Sequence, residues 1–502
     1  MDKRIWKPLA MTLAVSAASV SYAYADVDID NDGLIEISTL QQLDLMRYDL
    51  AGASLNGDST GCPATGCNGY ELVADLDFDT NGNGVFDNGD EFWNSGQGWV
   101  PVGWELNYRQ YPFTGIFEGN SHTISHLSIV DLEGKYVGLF SKTDGALIQN
   151  LTLTNPTITL SVGSENYAGA VSGRMTDSQI QNVDVVDVVL SGYGFSGSIT
   201  SAYISDLPVN NVHASGQIEG TSSTGGLFST LRGLSGPDSL QVSNVSFAGS
   251  VYAEDSPAGL SGALIDTYLD GCHVSGVIES SGHNTAGLAG YVSHSTIEGC
   301  HVDAVVEVRE EPYGVSSYFT GGLFSELGSS TIRKSSFTGQ ISSVDRYVGG
   351  ISGAVTGTVT IEDVSIIADI SAEDCCTGGI FGAIYSRVSD PLASIDIDNV
   401  IIAGDIHSGS SQWEAGIFGA SWVSDAEVES SLSIGEVYWD TDLSGVFNSG
   451  VKSLDVGGEG KTTFELQCPT MPGDVTCDAS MYAGWDEATW DFGTSSDYPV
   501  LR

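Results

Sequence analysis

The sequence predicts an all-β protein, a right-handed parallel β-solenoid. An N-terminal cap with one short helix and acidic loops closes one end, and an aromatic-rich cap closes the other. Three observations predict it: a glycine signature repeating about every 31 residues, a strand pattern after each copy, and the absence of tryptophan between Asn107 and Ser411.

The signature is a small residue, Gly, one or two apolar residues, then Ser or Gly. It stands as Val137-Gly138-Leu139-Phe140-Ser141, Ala168-Gly169-Ala170-Val171-Ser172 and Gly225-Gly226-Leu227-Phe228-Ser229. Further copies centre on Gly259, Gly287, Gly322, Gly350, Gly379 and Gly416, with a degenerate one at Ser196-Gly197-Ser198-Ile199. Gly138 to Gly416 covers 278 residues over nine intervals.

A second frame follows each copy. Ile148-Gln149-Asn150-Leu151-Thr152-Leu153 aligns with Ile180-Gln181-Asn182-Val183-Asp184-Val185, and likewise with segments starting at Leu269, Ile297, Ile361 and Ile397. Its last three positions alternate in, out, in, the period of a half-buried strand. The Asn or Gly before them suits a corner in the left-handed conformation. A unit this small cannot bury its apolar face alone, whereas stacking like on like buries a continuous core. Helical repeats fail on period and composition, and a propeller blade needs about 40 residues.

At the N-terminus, Lys3, Arg4 and Lys7 precede an apolar run and Ala23-Tyr24-Ala25, the pattern of a secretory leader cleaved before Asp26. That run is shorter than the roughly 20 apolar residues of a spanning helix, and no other segment is long enough. The expected organisation is therefore a leader at 1–25, a cap at 26–112, repeats at 113–440 and a second cap at 441–502. In the first cap, Ser38 to Leu50 reads as a helix with Ser38 as N-cap and Gly52 as its stop. After the leader, every tryptophan lies outside the span from Asn107 to Ser411, with Trp93, Trp99 and Trp104 before it and Trp413, Trp422, Trp439, Trp485 and Trp490 after it, as suits plugs over an open core.

With 17 basic against 65 acidic side chains, the chain carries a formal charge of −48. Nucleic acid and anionic membranes are excluded as partners, since both demand clustered cations. Solubility and divalent-cation binding both stand as reasons for the acidity.

Two loops concentrate hard oxygens at calcium-loop spacing. Asp28, Asp30, Asp32, the Leu34 carbonyl and Glu36 fall at positions one, three, five, seven and nine, with Gly33 at six. Asp79, Asn81, Asn83, the Val85 carbonyl, Asp87 and Asp90 repeat the frame, with Asp90 at twelve. Position twelve of the first loop is Thr39, and neither loop is flanked by two helices. Calcium loops outside an EF-hand and plain acidic turns are the two readings, calcium being the favoured cofactor.

Eight cysteines suit an oxidising compartment. Cys62 with Cys67, and Cys468 with Cys477, are expected to close local loops. Cys272 and Cys300 share the inward position of Leu151, Val183 and Val364. Stacked coils lie about 4.8 Å apart, within disulfide reach. Neighbouring Cys375 and Cys376 are left without assigned partners. His273 and His301 read as repeated exposed residues, since no third metal ligand accompanies them.

The Gly-Gly-Leu-Phe-Ser and Gly-Gly-Ile-Phe-Gly units resemble the GLUG motif of bacterial surface proteins. So do Phe113-Thr114-Gly115-Ile116-Phe117-Glu118-Gly119-Asn120, Asp32-Gly33-Leu34-Ile35-Glu36-Ile37 and Trp490-Asp491-Phe492-Gly493-Thr494. The resemblance implies an extracellular β-solenoid used in adhesion or display. Some GLUG arrays adjoin zinc metallopeptidases that cleave immunoglobulin A, but no His-Glu-x-x-His occurs in this sequence, so peptidase activity is not carried over. The expected function is non-catalytic binding of an extracellular polymer, glycan or cell surface through lateral faces and loops at Arg309–Tyr318 and Tyr385–Ser394. The alternative is a β-helix polysaccharide lyase or glycoside hydrolase.

Overall fold

A computed structural model describes residues 26–103, 111–131, 135–160, 166–192, 194–309, 319–344, 346–451, 454–477 and 481–502. The expected leader, Trp104 and all of the Arg309–Tyr318 loop except Arg309 lie outside them. Parallel strands stack coil on coil as a β-solenoid of about nine turns.

Each coil contributes to three ladders. A narrow sheet runs through nine strands, from Phe140–Asp144 to Phe381–Ile384. A broad sheet runs from Leu147–Thr154 to Ser394–Ala403 through strands of up to 17 residues. Short strands such as Thr224–Gly225 and Thr377–Gly378 form the third side, bridged through Ala258, Ala286 and Gly321. Parallel pairing begins at Ile35 and runs to Lys461, so the stack passes beyond 113–440 at both ends.

The glycine signature is explained by close approach. A Cβ on Gly226, Gly259, Gly287, Gly322, Gly350 or Gly379 would lie 2.1–2.4 Å from the carbonyl oxygen of the matching glycine in the next coil. The residue after each of these glycines points inward, giving a buried column of Leu227, Leu260, Leu288, Leu323, Ile351 and Ile380. The predicted corner is also present. Asn150, Asn182, Asn211 and Asn244 all hold φ between 49° and 54°, and Gly271, Gly299, Lys334, Asp363 and Asn399 continue the column at positive φ.

Four disulfides join Cys62 to Cys67, Cys272 to Cys300, Cys468 to Cys477, and Cys375 to its neighbour Cys376. Cys272 and Cys300 are register partners inside the stack, so their bond links adjacent coils. His273 and His301 pair on the outer side of the same strands. Burial and then His273 push the His301 imidazole below its ordinary value.

Two local expectations are corrected. The helix spans Leu40–Leu45, followed by a 3-10 turn at Met46–Tyr48, and Thr39 rather than Ser38 caps it by accepting from Gln42 N. Capping from Thr39 brings Leu40, Leu43 and Met46 into the core, while Ser38 hydrogen-bonds the Gln42 side chain. The late tryptophans also divide. Trp439 closes the core, whereas Trp490 lies along the flank, where its indole donates to Asp363 at 2.9 Å.

Candidate functional site

The first acidic loop folds back on the opening coils. Asp28 Oδ2 accepts Gly33 N at 3.1 Å, Asp30 Oδ1 accepts Asp32 N at 3.1 Å, and Asp32 Oδ1 accepts Leu34 N at 2.8 Å. The second loop repeats this frame. Asp79 Oδ2 accepts Gly84 N at 2.6 Å, Asn81 Oδ1 accepts Asn83 N at 3.0 Å, and Asn83 Oδ1 accepts Val85 N at 2.8 Å. The spacing read from sequence thus specifies one loop conformation twice.

The loops differ in what their acids face. In the second, Asp90 accepts from Asn81 N and Asp87 N, and Asp87 accepts from Gly89 N, Asn83 Nδ2 and Asn81 Nδ2. Those bonds, led by Gly89 N, hold the Asp87 carboxyl below the usual range. In the first, the carboxylate oxygens of Asp28, Asp30 and Asp32 lie within 4.8 Å of one another, and so do those of Asp30, Glu36 and Glu71.

Glu71 escaped the sequence reading. It lies on the strand Gly69–Leu72, in register with Glu36 on one side and Glu118 on the other, so three glutamates stack on consecutive coils. Each is under 10% exposed. Burial first, then the nearby Asp32, Asp30 and Glu36 charges, push the Glu71 carboxyl up, against a bond from Asn120 Nδ2. Glu118 is answered instead by Gln149 and Asn150 amides at 2.7–3.0 Å. The signal that would have found Glu71 is strand register, which the glutamates at 36, 71 and 118 display once aligned.

A second feature stands on the narrow sheet near its C-terminal end. Ala354, Ala383 and Ala420 occupy the outward position of successive coils, leaving a trough. Phe319, Tyr347, Tyr385 and Trp422 fill it, with ring centroids 5.3–5.8 Å apart. Trp422 stays 49% exposed. Beside it opens a cleft of about 390 Å³ lined by Tyr347, Trp413, Trp422, Asp425 and the Cys375–Cys376 disulfide. Earlier coils carry another ring column on the short ladder, Tyr136, Tyr167 and Phe195, stacked 5.0–5.1 Å apart beneath Lys135 and Lys142.

The Tyr385–Ser394 segment is anchored through Tyr385, Arg387 and Asp390, with Ser386, Val388, Ser389 and Pro391 exposed between and beyond them. Tyr385 is buried, its hydroxyl donates to Glu326, and Arg387 meets the same carboxylate at 2.5 Å. Burial pushes the Glu326 carboxyl up against these two bonds. Asp390 accepts from Ser329 N and Oγ, leaving Val388 as the exposed tip.

The fold and these sites define a disulfide-bonded, strongly acidic parallel β-solenoid with an acidic loop at one end and an aromatic cleft toward the other. Four disulfides belong to an oxidising compartment. Among the described residues no helix is long and apolar enough to cross a membrane. No family model matches the chain. Over 133 residues the chain is 32% identical to halomucin of Haloquadratum walsbyi, a stretch that is 26% of this chain and 1% of halomucin. A crystal structure of a proposed immunoglobulin A1 protease from Bacteroides ovatus superposes with a TM-score of 0.30 at 15% identity, covering 93% of this chain and 92% of that one.

Proposed function

We propose that this is an exported, non-catalytic protein of the GLUG-motif type that binds an extracellular glycan or polymer at the cleft beside Trp422. The carrying observation is the half-exposed Trp422 ring beside a cleft that Trp413, Tyr347 and Asp425 also line. Flat aromatic faces pack against the C–H faces of sugar rings, and a carboxylate accepts hydroxyl hydrogen bonds. Among the described residues lining the cleft, Asp425 is the only carboxylate, whereas glycoside cleavage asks for two.

The test is a glycan array and a cell-binding assay on the full chain, with and without calcium. Binding by the natural protein and its loss in Trp422→Ala support the reading. No binding under either condition sinks it. The same proposal takes both acidic loops as structural calcium sites.

A further inference from the structure

We infer that one calcium ion is held between the first acidic loop and the following coil, with Glu71 supplying the ligand that Thr39 cannot. This rests on the calcium reading of the loop and adds a residue that the loop's own spacing does not contain.

Three observations converge. Each aspartate of the loop accepts a backbone N–H of the loop with one oxygen, and one oxygen of each lies within 4.8 Å of the others. Two carboxylate oxygens, Asp28 Oδ1 and Glu36 Oε2, are buried with no hydrogen-bond partner. Asp28 is 0% exposed and Glu36 8%. A buried, unpartnered carboxylate oxygen is a standing penalty that a cation removes. Finally, Asp30 belongs to both convergent groups, so the triplet of the loop and the pair from the two strands meet at one carboxylate.

The chemistry selects the ion. Cys62 and Cys67 lie against Asp28, but their sulfurs are bonded to each other, which removes thiolate ligands and the metals that prefer them. What remains is an all-oxygen set of Asp28, Asp30, Asp32, Glu36 and Glu71, with the Leu34 carbonyl at position seven. Calcium takes six to eight such oxygens in a flexible shell, where magnesium demands a tighter octahedron. The position-twelve acid of an ordinary calcium loop arrives by continuing the chain. Here it arrives across the sheet, because the pairing of Glu36 with Glu71 places it there. An ion so held joins the loop to the first two coils and offsets the stacked glutamate charge.

The full chain, stripped with chelator, is titrated with calcium chloride by calorimetry and melted with and without the ion. Asp30→Asn identifies the isotherm component belonging to this site. Glu71→Gln, which keeps shape and the Asn120 contact, is expected to weaken that component by roughly tenfold or more and to shrink the calcium-induced rise in melting temperature. Glu118→Gln, one coil further on and already answered by amides, should leave it unchanged. If Asp30→Asn alters no part of the isotherm, the loop is not a calcium site and both readings fall. An Asp30-dependent component that survives intact in Glu71→Gln overturns the role of Glu71 alone.

Discussion

Asn182 shows how much one side chain carries in a stack. Its Nδ2 donates to Asn150 Oδ1 at 2.8 Å, and its own Oδ1 accepts from Asn211 at 2.8 Å. Its backbone holds φ at 52°, which costs most residues roughly 1–2 kcal/mol. Asn182→Ala should therefore lose about 2 kcal/mol, from strain and two exchanged hydrogen bonds, while Asn182→Gly loses only the bonds. Denaturant melts that rank Gly below Ala would contradict this account. The corner was legible because Asn or Gly stands there in most coils. Glu71 was not, because it lies 35 positions from Glu36 and meets it only through pairing register.

The turn that opens each coil is the element on which stacking depends. Built on Gly322, a Cβ would sit 2.3 Å from the Gly350 carbonyl oxygen and 2.9 Å from Ile341 and Phe337 side-chain atoms. Gly322→Val should cost about 3 kcal/mol or more, since neither a backbone carbonyl nor a packed core yields easily. Lost soluble expression or a sharply lower melting temperature would register it, and a near-native melt would refute it. This element was the plainest in the sequence, recurring with one residue pattern. The elements that misled do not recur. The helix start shifted by one residue to put Leu40 and Leu43 inward, and the C-terminal segment found a lateral seat through Trp490 and Asp363, a contact 127 positions apart. The aromatic cleft was hidden for the same reason, since Ala354, Ala383 and Ala420 gain meaning only when stacked beneath Tyr347 and Trp422.

For the molecule as a whole, stacking in register turns composition into geometry. A formal charge of −48 is arranged partly in columns on the outer face, with Asp270 beside Glu298, Glu279 beside Glu307 and Glu362 beside Asp398. Strands in a sheet lie about 4.8 Å apart, and a Debye length shrinks to about 3 Å at 1 M salt. Sodium chloride should therefore raise the melting temperature steadily toward molar concentration. A flat or falling curve would mean that the acids are already neutralised. The Cys272–Cys300 bond has a further consequence when the chain is pulled by its ends. Coils would peel away one after another, but the 28-residue step between these cysteines stays out of the load path. Roughly 95 Å of contour length is thereby withheld, at about 3.3–3.6 Å per residue. The covalent link makes the middle of the array a mechanical stop, dividing one long tether into two shorter ones.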